Sequence, residues 1–330
     1  MRSRTRFLVA LALIVGFGIA LNVPQIQAKD VYNFYMISHG GPGDPFWSIV
    51  IKGMKDMEKQ LGGKVKATYL GPQKHSIEIL LDFLDTALAS NPDGIGITVT
   101  SVEPLDKPLR RVIKEKKIPV ISFNTGDPRP LDERIPVLTH IGQQEFDSGV
   151  GAGKRMLEGF TPKRLLIATH KPGTVFSRER IAGIMSVVQK HKTKIPAEAI
   201  DVTLDPAKGV EILKSYLIKH PDTDALIGVG TMPTHYGIDF IKEKNLKGKI
   251  KLGGYDVDQK IVDAIKDDIC LYTIDQQPYL QGYLTLEWLY LVAKYGFRPP
   301  PDLPTGPLVI DKSSLEVVRK GMEEGVYRKQ

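Results

Sequence analysis

Two adjacent aromatic residues near the start of the sequence have neighbours suited to holding a ring-shaped ligand. Residues 40–47 read Gly-Gly-Pro-Gly-Asp-Pro-Phe-Trp, so flexible glycines precede Asp44, Phe46 and Trp47. Aromatic rings pack on the C–H face of a hydroxylated ring, and a carboxylate accepts hydrogen bonds from its hydroxyl groups. In the alternative interpretation, Asp44 caps a helix while one ring packs into the core. Adjacent helical residues point about 100° apart, so at most one ring is fully structural and we expect a ligand role here.

Two arginines open a second informative segment, residues 177–183. Arg178 and Arg180 are two residues apart and cannot share a helix face, so one can point to a ligand while the other pairs with a surface acid. A guanidinium has directional donors, and a hydrogen bond to a charged group contributes roughly 1.5 to 3 kcal/mol. Two surface arginines explain the spacing equally well.

Further polar side chains follow directly after predicted strands. Asp256 ends the segment Gly-Gly-Tyr-Asp, where its carboxylate can accept from two hydroxyl groups or cap the next helix. Gln276 precedes Gln277 and Pro278; an amide donates and accepts together, and a proline suits a first helical turn. The other candidate ligand residues at such positions are His39, Asn124, Thr125, Phe176 and Thr231.

The motifs typical of catalytic and metal sites are missing. The sequence has no G-x-S-x-G, C-x-x-C or H-E-x-x-H motif. Residues 149–154 superficially resemble a phosphate loop but lack its spacing, and their glycines are better explained by close helix packing. The histidines at 39, 75, 140, 170, 191, 220 and 235 include no pair three or four apart, as helical metal ligands would be. We therefore expect no catalysis, no metal and no cofactor.

These candidate residues depend on elements that alternate regularly from residue 31 onward. Short β-rich runs are each followed by a loop and usually an amphipathic helical segment, which predicts parallel sheets with helices on both faces. In such sheets ligands bind outside the carboxyl ends of the strands, where the candidate residues lie. The predicted strands cover residues 32–37, 64–70, 94–99, 119–123, 137–141, 165–169, 199–203, 225–229, 249–253 and 269–274.

The number of strands predicts two lobes rather than one. About ten strands are many for a single sheet, and the pattern runs twice, so we expect two doubly wound, Rossmann-like α/β lobes. Five prolines between residues 299 and 307 prevent a further helix and predict an extended strap between the lobes. We expect residues 29–141 with 277–305 to form the N-terminal lobe, and residues 142–276 with 306–330 the C-terminal lobe.

Residues 1–28 have the pattern of a cleaved export signal. Arginines at positions 2, 4 and 6 precede an apolar run from Phe7 to Leu21, and Ala28 ends a short polar stretch. The apolar run of about 15 residues is short for a membrane span, which needs roughly 20. We therefore expect a secreted chain that begins near Lys29.

The charge and the cysteine content exclude two further classes. The formal net charge of +7 falls to +4 without the three arginines of residues 1–28, which is too mild to predict nucleic-acid binding. A single cysteine cannot form an internal disulfide, so the chain is not a disulfide scaffold. Cys270 lies in an apolar run and is predicted to be a core residue.

Taken in order, these segments resemble the ribose- and galactose-type periplasmic binding proteins, which serve ATP-driven importers. The resemblance covers nearly the whole chain after residue 28. Residues 44–47 look like the family's Asn/Asp-Pro-aromatic-aromatic motif, 118–124 its I-P-V-I strand, 173–180 its G-T-x-x-x-R-E-R signature, 254–256 its G-[FY]-D, and 275–278 its x-Q-x-P hinge.

The resemblance implies both a fold and a function. It implies a type I periplasmic binding fold with a three-segment hinge near residues 141, 276 and 306, which closes over a sugar. Arg178 matches a family residue that binds the sugar's hydroxyl groups, Asp256 and Gln276 match family ligand residues, and Asn124 and Thr125, after the strand at 119–123, match the polar residues that touch the sugar. A periplasmic location and an ABC permease as partner are also implied, and we expect a monomer without enzymatic activity.

Two departures from the family pattern point away from ribose itself. Ribose-type proteins usually carry Asp-Arg where this chain has Asn124-Thr125, and Asn-Asp where it has Gly230-Thr231. A polyol, cyclitol, hexose, modified sugar or nucleoside remains open as the ligand. Presentation of the ligand to a membrane chemoreceptor is the alternative role. A repressor with the same lobes needs an N-terminal helix-turn-helix, where this sequence has the export signal.

Overall fold

The computed structural model describes residues 29–74 and 76–329, which form two α/β lobes around two six-stranded sheets. The export signal predicted for residues 1–28 lies outside the described residues. The described strands are β1 Tyr32–Ile37, β2 Val65–Leu70, β3 Gly94–Ile97, β4 Val120–Phe123, β5 His140–Gly142, β6 Leu165–Thr169, β7 Ala197–Asp201, β8 Ala225–Gly228, β9 Lys251–Tyr255, β10 Cys270–Asp275, β11 Asp302–Pro304 and β12 Leu308–Ile310. The described α-helices are α1 Pro45–Gln60, α2 Ile77–Ala89, α3 Val102–Lys114, α4 Glu145–Leu157, α5 Val175–Lys190, α6 Pro206–Lys219, α7 Thr231–Glu243, α8 Gln259–Lys266, α9 Pro278–Tyr295 and α10 Leu315–Glu323.

The two sheets share one strand order. The first sheet runs β11-β5-β4-β3-β1-β2 and is parallel throughout. The second runs β12-β10-β9-β8-β6-β7 and is parallel except that β12 pairs antiparallel with β10. In each sheet the strand order reverses beside the first strand of the lobe, which places a crevice at the carboxyl ends of the strands. The predicted pair of doubly wound parallel sheets is confirmed.

The chain passes between the sheets three times. It leaves the first sheet after β5 and leaves the second after β10, and it passes from β11 in the first sheet to β12 in the second. Helix α9 packs on α1, so it returns to the lobe where the chain began, whereas α4 packs on α5. The proline-rich strap contributes β11 and β12, two short strands that the sequence pattern did not predict.

Glycines allow these helix pairs to pack closely. A methyl group on Gly282 would overlap the carbonyl oxygen of Val50, and one on Gly149 would overlap that of Arg180. Both contacts join the first helix of a lobe to the helix that follows a crossing between the sheets. Gly149 and Gly153 of the segment 149–154 therefore allow α4 to pack closely on α5, as the sequence indicated.

Some strand boundaries differ from those predicted. The strand expected at 249–253 begins at Lys251, because the amides of Lys249 and Ile250 both bond to the carbonyl of Leu246 and complete the turn after α7. Cys270 is buried in the core, as predicted. Among the described residues, no helix combines the length and apolar character that a membrane crossing requires.

Candidate functional site

A cleft of about 340 Å³ lies between the lobes, at the carboxyl ends of both sheets. All the predicted ligand residues except Arg178 line it. Those residues are His39, Asp44, Phe46, Trp47, Asn124, Thr125, Phe176, Thr231, Asp256 and Gln276. The ends of strands that are far apart in the sequence are thus brought together in one cavity. Its volume falls within the range of pockets that enclose small molecules, roughly 300 to 1,000 Å³.

The N-terminal lobe contributes an aromatic wall. Trp47 is only 4% exposed and stands edge-on to Phe123 with ring centres 6.3 Å apart. Phe46 is half-buried and stands edge-on to Trp47 at 5.1 Å, and the ring of His39 lies 4.7 Å from Trp47 on another side. Trp47 is therefore buried in the core and also lines the cleft, whereas Phe46 is less buried and more open to the cleft.

Asp44 has two roles that the sequence presented as alternatives. Its side chain caps α1 by accepting a 2.9 Å hydrogen bond from the amide of Phe46, and the same residue lines the cleft. Although its surface is exposed to the cleft, protein surrounds the carboxyl, and this enclosure raises its pKa. Lys171 lines the same cleft from the C-terminal lobe, where burial lowers the pKa of its ammonium group. Each charge partly offsets the burial cost of the other.

Arg180 is the buried cation of the C-terminal wall. Its guanidinium forms a two-point ion pair with Glu145, with Nε–Oε2 and Nη2–Oε1 distances of 2.7 and 3.1 Å. A third hydrogen bond of 3.0 Å goes from Nη1 to the carbonyl of Val229. The guanidinium also lies 5.1 Å from the ring centre of Phe176 and 4.5 Å from that of Tyr255. These contacts fix the planar group in a single orientation beside the cleft.

The expectation that Arg178 faces the cleft is wrong. Its side chain is exposed, and its Nη1 donates a 2.7 Å hydrogen bond to the carbonyl of Gly173. Two residues along a helix correspond to a turn of about 200°, so the two arginines face opposite directions. Ser177 determines which face of α5 points toward the sheet, because its hydroxyl lies 2.8 Å from that of Thr169 at the end of β6. With Ser177 facing the sheet, Arg180 reaches the cleft and Arg178 reaches solvent.

A chain of hydrogen bonds crosses the floor of the cleft. Oδ2 of Asp256 accepts from the amide and the hydroxyl of Thr231 at 3.1 and 2.6 Å. Oδ1 of Asp256 accepts from Nε2 of Gln276 at 2.6 Å, and Oε1 of Gln276 accepts from Nδ2 of Asn124 at 3.2 Å. Thr125 donates in turn to Oδ1 of Asn124 at 3.1 Å. The chain joins groups of both lobes through the crossing segment that carries Gln276.

Asn124 and Asp256 share an unusual backbone conformation. Their φ angles are +62° and +69°, in the left-handed region that asparagine and aspartate tolerate better than most residues. Each follows the last residue of a strand, β4 or β9. Their amides donate to equivalent acceptors, the carbonyls of Ile141 and Ile274. The same local turn therefore presents a short polar side chain to the cleft from each lobe.

Several lining residues were not among the predicted ligand residues. They come from loops and from helices. The sequence alone does not reveal which face of each helix points into the cleft. Those with side chains are Gln73, Glu145, His170, Lys171, Arg180, Leu204, Met232, His235 and Arg328.

His170 is the most informative of these additions. It follows β6, a position that marks it as a candidate, and burial lowers its pKa to about 3. Its Nδ1 is buried without a hydrogen-bond partner among the described residues. The imidazole is therefore neutral at physiological pH and lines the cleft without adding a charge.

The arrangement suits binding rather than metal chemistry. Within residues 29–74 and 76–329, no three His, Cys, Asp or Glu side chains are placed to share a metal ion. The cleft instead combines aromatic surface with hydrogen-bonding groups that donate, accept or do both. This combination recognises a molecule with apolar faces and several hydroxyl groups.

Comparison with known proteins identifies related sequences and folds. A model of the family described as periplasmic binding protein domain matches residues 34–296. The xylose/arabinose-binding protein XylF of Sulfolobus acidocaldarius is 31% identical, over 88% of this chain and 74% of XylF.

Two solved structures show the same fold. A periplasmic sugar-binding protein of an ABC sugar transporter from Legionella pneumophila has a TM-score of 0.75 at 28% identity, covering 83% of this chain and 99% of that one. A carbohydrate transporter protein from Acidothermus cellulolyticus, in complex with myo-inositol, has a TM-score of 0.78 at 24% identity, covering 90% and 99%.

Proposed function

The chain belongs to the periplasmic binding protein family, whose members bind solutes rather than catalyse reactions, and we propose that it captures a neutral sugar or polyol for an ABC importer. The observation that carries the proposal is the interlobe cleft, where aromatic surface faces a hydrogen-bonded chain of amide, hydroxyl and carboxylate groups. The sugar-binding relatives, XylF and the Legionella protein, support a sugar as the ligand class.

A neutral ligand agrees with the charges of the cleft. The buried guanidinium of Arg180 is already paired with Glu145, and Lys171 faces the carboxyl of Asp44. An ionised ligand would bring a further charge without an opposite partner into a confined space, which costs several kcal/mol in general. Hydroxyl groups accept from arginine and donate to carboxylates without changing the net charge.

The ligand contacts follow from the geometry of each wall. Phe46 and Trp47 pack on the apolar face of the ring, while Arg180 donates to its hydroxyl groups. Asp256 and Asn124 present side-chain oxygens to the cleft. Gln276 lies between them on the crossing segment, so a ligand that bridges the lobes also contacts the hinge.

Closure of the cleft is the proposed mechanism. Residues 29–141 with 277–305 form one lobe and residues 142–276 with 306–330 the other, joined by three crossings. A ligand that contacts both lobes binds the closed state more tightly than the open one and shifts the population toward it. The permease then distinguishes the loaded protein by its closed form. Export of a monomer to the periplasm by residues 1–28 completes the proposal.

Calorimetric titration tests the ligand class. The mature protein is titrated with arabinose, xylose, glucose, myo-inositol and a nucleoside, after mass spectrometry of any molecule that copurifies. We expect a dissociation constant in the micromolar range or lower for at least one sugar or polyol, without conversion of the ligand. Binding of the nucleoside alone, or turnover of a sugar, would contradict the proposal.

Small-angle scattering tests the mechanism separately. We expect the radius of gyration to fall when the bound ligand is added, because closure brings the lobes together. Binding without any change in the scattering profile would support the ligand and reject the closure.

A further inference from the structure

The segment that follows α10, residues 325–328, lies against both lobes. We refer to it as the C-terminal segment. Helix α10 belongs to the C-terminal lobe, because Val318 is buried in the same core as Leu252 of the second sheet. Beyond this helix the chain reaches the other lobe, since a methyl group on Gly325 would lie 3.1 Å from Cε of Lys52 on α1. The C-terminal segment therefore joins the two lobes beside the ligand cleft.

The end of α10 fixes the backbone of this segment. Gly325 has a φ of +75°, and its amide donates to the carbonyl of Met322 at 3.1 Å. The amide of Val326 donates to the carbonyl of Gly321 at 2.9 Å. These two bonds form the Schellman motif that commonly ends a helix, with a glycine in the left-handed conformation. The motif determines the direction in which the next two residues leave the helix.

Tyr327 secures the segment at the hinge. Its hydroxyl donates a 3.0 Å hydrogen bond to Oδ2 of Asp275, the last residue of β10 before the second crossing. Its ring packs closely on α10 because Gly321 has no side chain, since a methyl group there would lie 2.5 Å from Cδ2 of the ring. With Ile49 and Pro278 of the other lobe, Tyr327 lines a space of only about 20 Å³. The ring thus fills the junction between the lobes and holds the residue that follows it.

Arg328 extends from this junction to the ligand cleft, which it lines. Its side chain is 24% exposed, and its Nη1 lies 3.7 Å from Oδ2 of Asp258 in the C-terminal lobe. Burial raises the pKa of the Asp44 carboxyl in the other lobe, and the charges of Lys171 and Arg328 partly oppose this rise. A guanidinium carries five N–H donors, so an ion pair with Asp258 is compatible with donation to a ligand. Arg328 therefore lies near an acid of each lobe and is accessible from the cleft.

The charges that line the cleft include an equal number of each sign. Three acidic and three basic side chains line it, and these are Asp44, Glu145 and Asp256 with Lys171, Arg180 and Arg328. Loss of Arg328 would leave the acids in excess. Because a confined wall of one sign attracts ligands of the opposite sign, such a cleft would favour a cationic ligand more than the native cleft does.

We propose that Arg328 is a specificity-determining residue, which donates to a hydroxyl group of the ligand and excludes ligands that carry a positive charge, while Tyr327 holds it in position. The proposal rests on the proposed capture of a neutral sugar or polyol and adds to it the rejection of amino sugars. An ammonium group in place of a hydroxyl group would meet the guanidinium with like charge, and such repulsion is a general source of specificity.

Calorimetry with two probes provides the test. The probes are the tightest neutral ligand among arabinose, xylose, glucose and myo-inositol, and its analogue with an amine in place of one hydroxyl group, in a buffer that keeps the amine protonated. We expect the wild type to bind the amine at least tenfold more weakly than the neutral probe. Arg328→Met should reduce this ratio at least threefold, because the variant loses both the repulsion and the donor.

A second arginine supplies the matched control. Arg319 is exposed on α10, so Arg319→Met makes the same chemical change and should leave the ratio within twofold of the wild type. An unchanged ratio in Arg328→Met, with the neutral probe still bound, would refute the role of Arg328 and leave the proposed function intact. Failure of the wild type to bind any of the neutral probes would refute both.

The positioning role of Tyr327 has its own variant. Tyr327→Ala should reduce the ratio as Arg328→Met does, because the arginine then loses its support at the hinge. Circular dichroism checks that each variant is folded, and Arg328→Met keeps the proposal testable if Tyr327→Ala does not fold. A folded Tyr327→Ala variant with the selectivity of the wild type would refute the positioning role.

Discussion

Gln276 donates to Oδ1 of Asp256 across 2.6 Å, and this hydrogen bond ties the second crossing segment to the edge of the ligand cleft. The backbone of Gln276 is held as well, because its carbonyl accepts from Gln281 and from Thr305 at 2.9 and 2.8 Å. Two of the three crossings therefore meet at one glutamine, whose side chain also lines the cleft. The wall of the cleft and the geometry of the hinge therefore share one residue.

Removal of the Gln276 side-chain amide should weaken ligand binding more than a substitution at the neighbouring Gln277. Gln276→Ala deletes the bonds to Asp256 and Asn124, and we expect the ligand's dissociation constant to rise at least tenfold, which corresponds to about 1.4 kcal/mol. Gln277→Asn is the matched control, since asparagine tolerates the positive φ of 52° at that position. Calorimetry with the tightest ligand of the panel measures both. Equal losses in the two variants would argue against a specific role for Gln276.

The two arginines of α5 provide a direct comparison. Arg180→Lys retains a positive charge but loses the two-point pairing with Glu145, so we expect at least a tenfold loss of ligand affinity. Arg178→Lys changes an exposed side chain, and we expect its affinity to stay within twofold of the wild type. Titration of both variants under one set of conditions decides the assignment. A loss confined to Arg178→Lys would reverse it.

A buried carboxyl beside the hinge should make stability depend on pH. Burial raises the pKa of Asp275 from 3.8 to about 6, so the folded protein holds a proton that the unfolded chain has already released. Stability from this group is therefore fully present below about pH 4 and is lost as the pH rises to about 6.

Asp275→Asn removes this titration. We expect the variant to gain about 3 kcal/mol over the wild type above pH 6, and nothing below pH 4. Urea unfolding at pH 3.5, 5 and 8 measures the difference. A constant difference at all three values would show that the group does not titrate in this range.

Close packing of α1 and α9 predicts a large effect of one methyl group. Gly282→Ala forces the new atom against the backbone of Val50, and we expect a loss of about 1 to 3 kcal/mol in the free energy of unfolding. Gly173→Ala is the control, because a methyl group there meets open space and its φ is not positive. We expect the control to change stability by less than about 0.5 kcal/mol. Denaturant midpoints distinguish the two.

The fold was predictable because alternation of strands and helices is a property of the sequence alone. The candidate residues that follow the strands lie close together because parallel strands end at one edge of a sheet. The choice between Arg178 and Arg180 was not predictable, because it depends on which face of α5 meets the sheet. Lys171 and Arg328 come from loops and the C-terminal segment, whose positions follow from tertiary packing rather than from any local pattern.

The triple passage of the chain between the sheets has a consequence for synthesis. The first lobe lacks α9 and β11 until residue 304 has been made, although its first strand begins at Tyr32. Pairing of β11 with β5 joins Asp302 to His140 across a long stretch of sequence, and such distant contacts form slowly. The first lobe of a nascent chain of this design therefore stays incomplete until the final tenth of the sequence has been made.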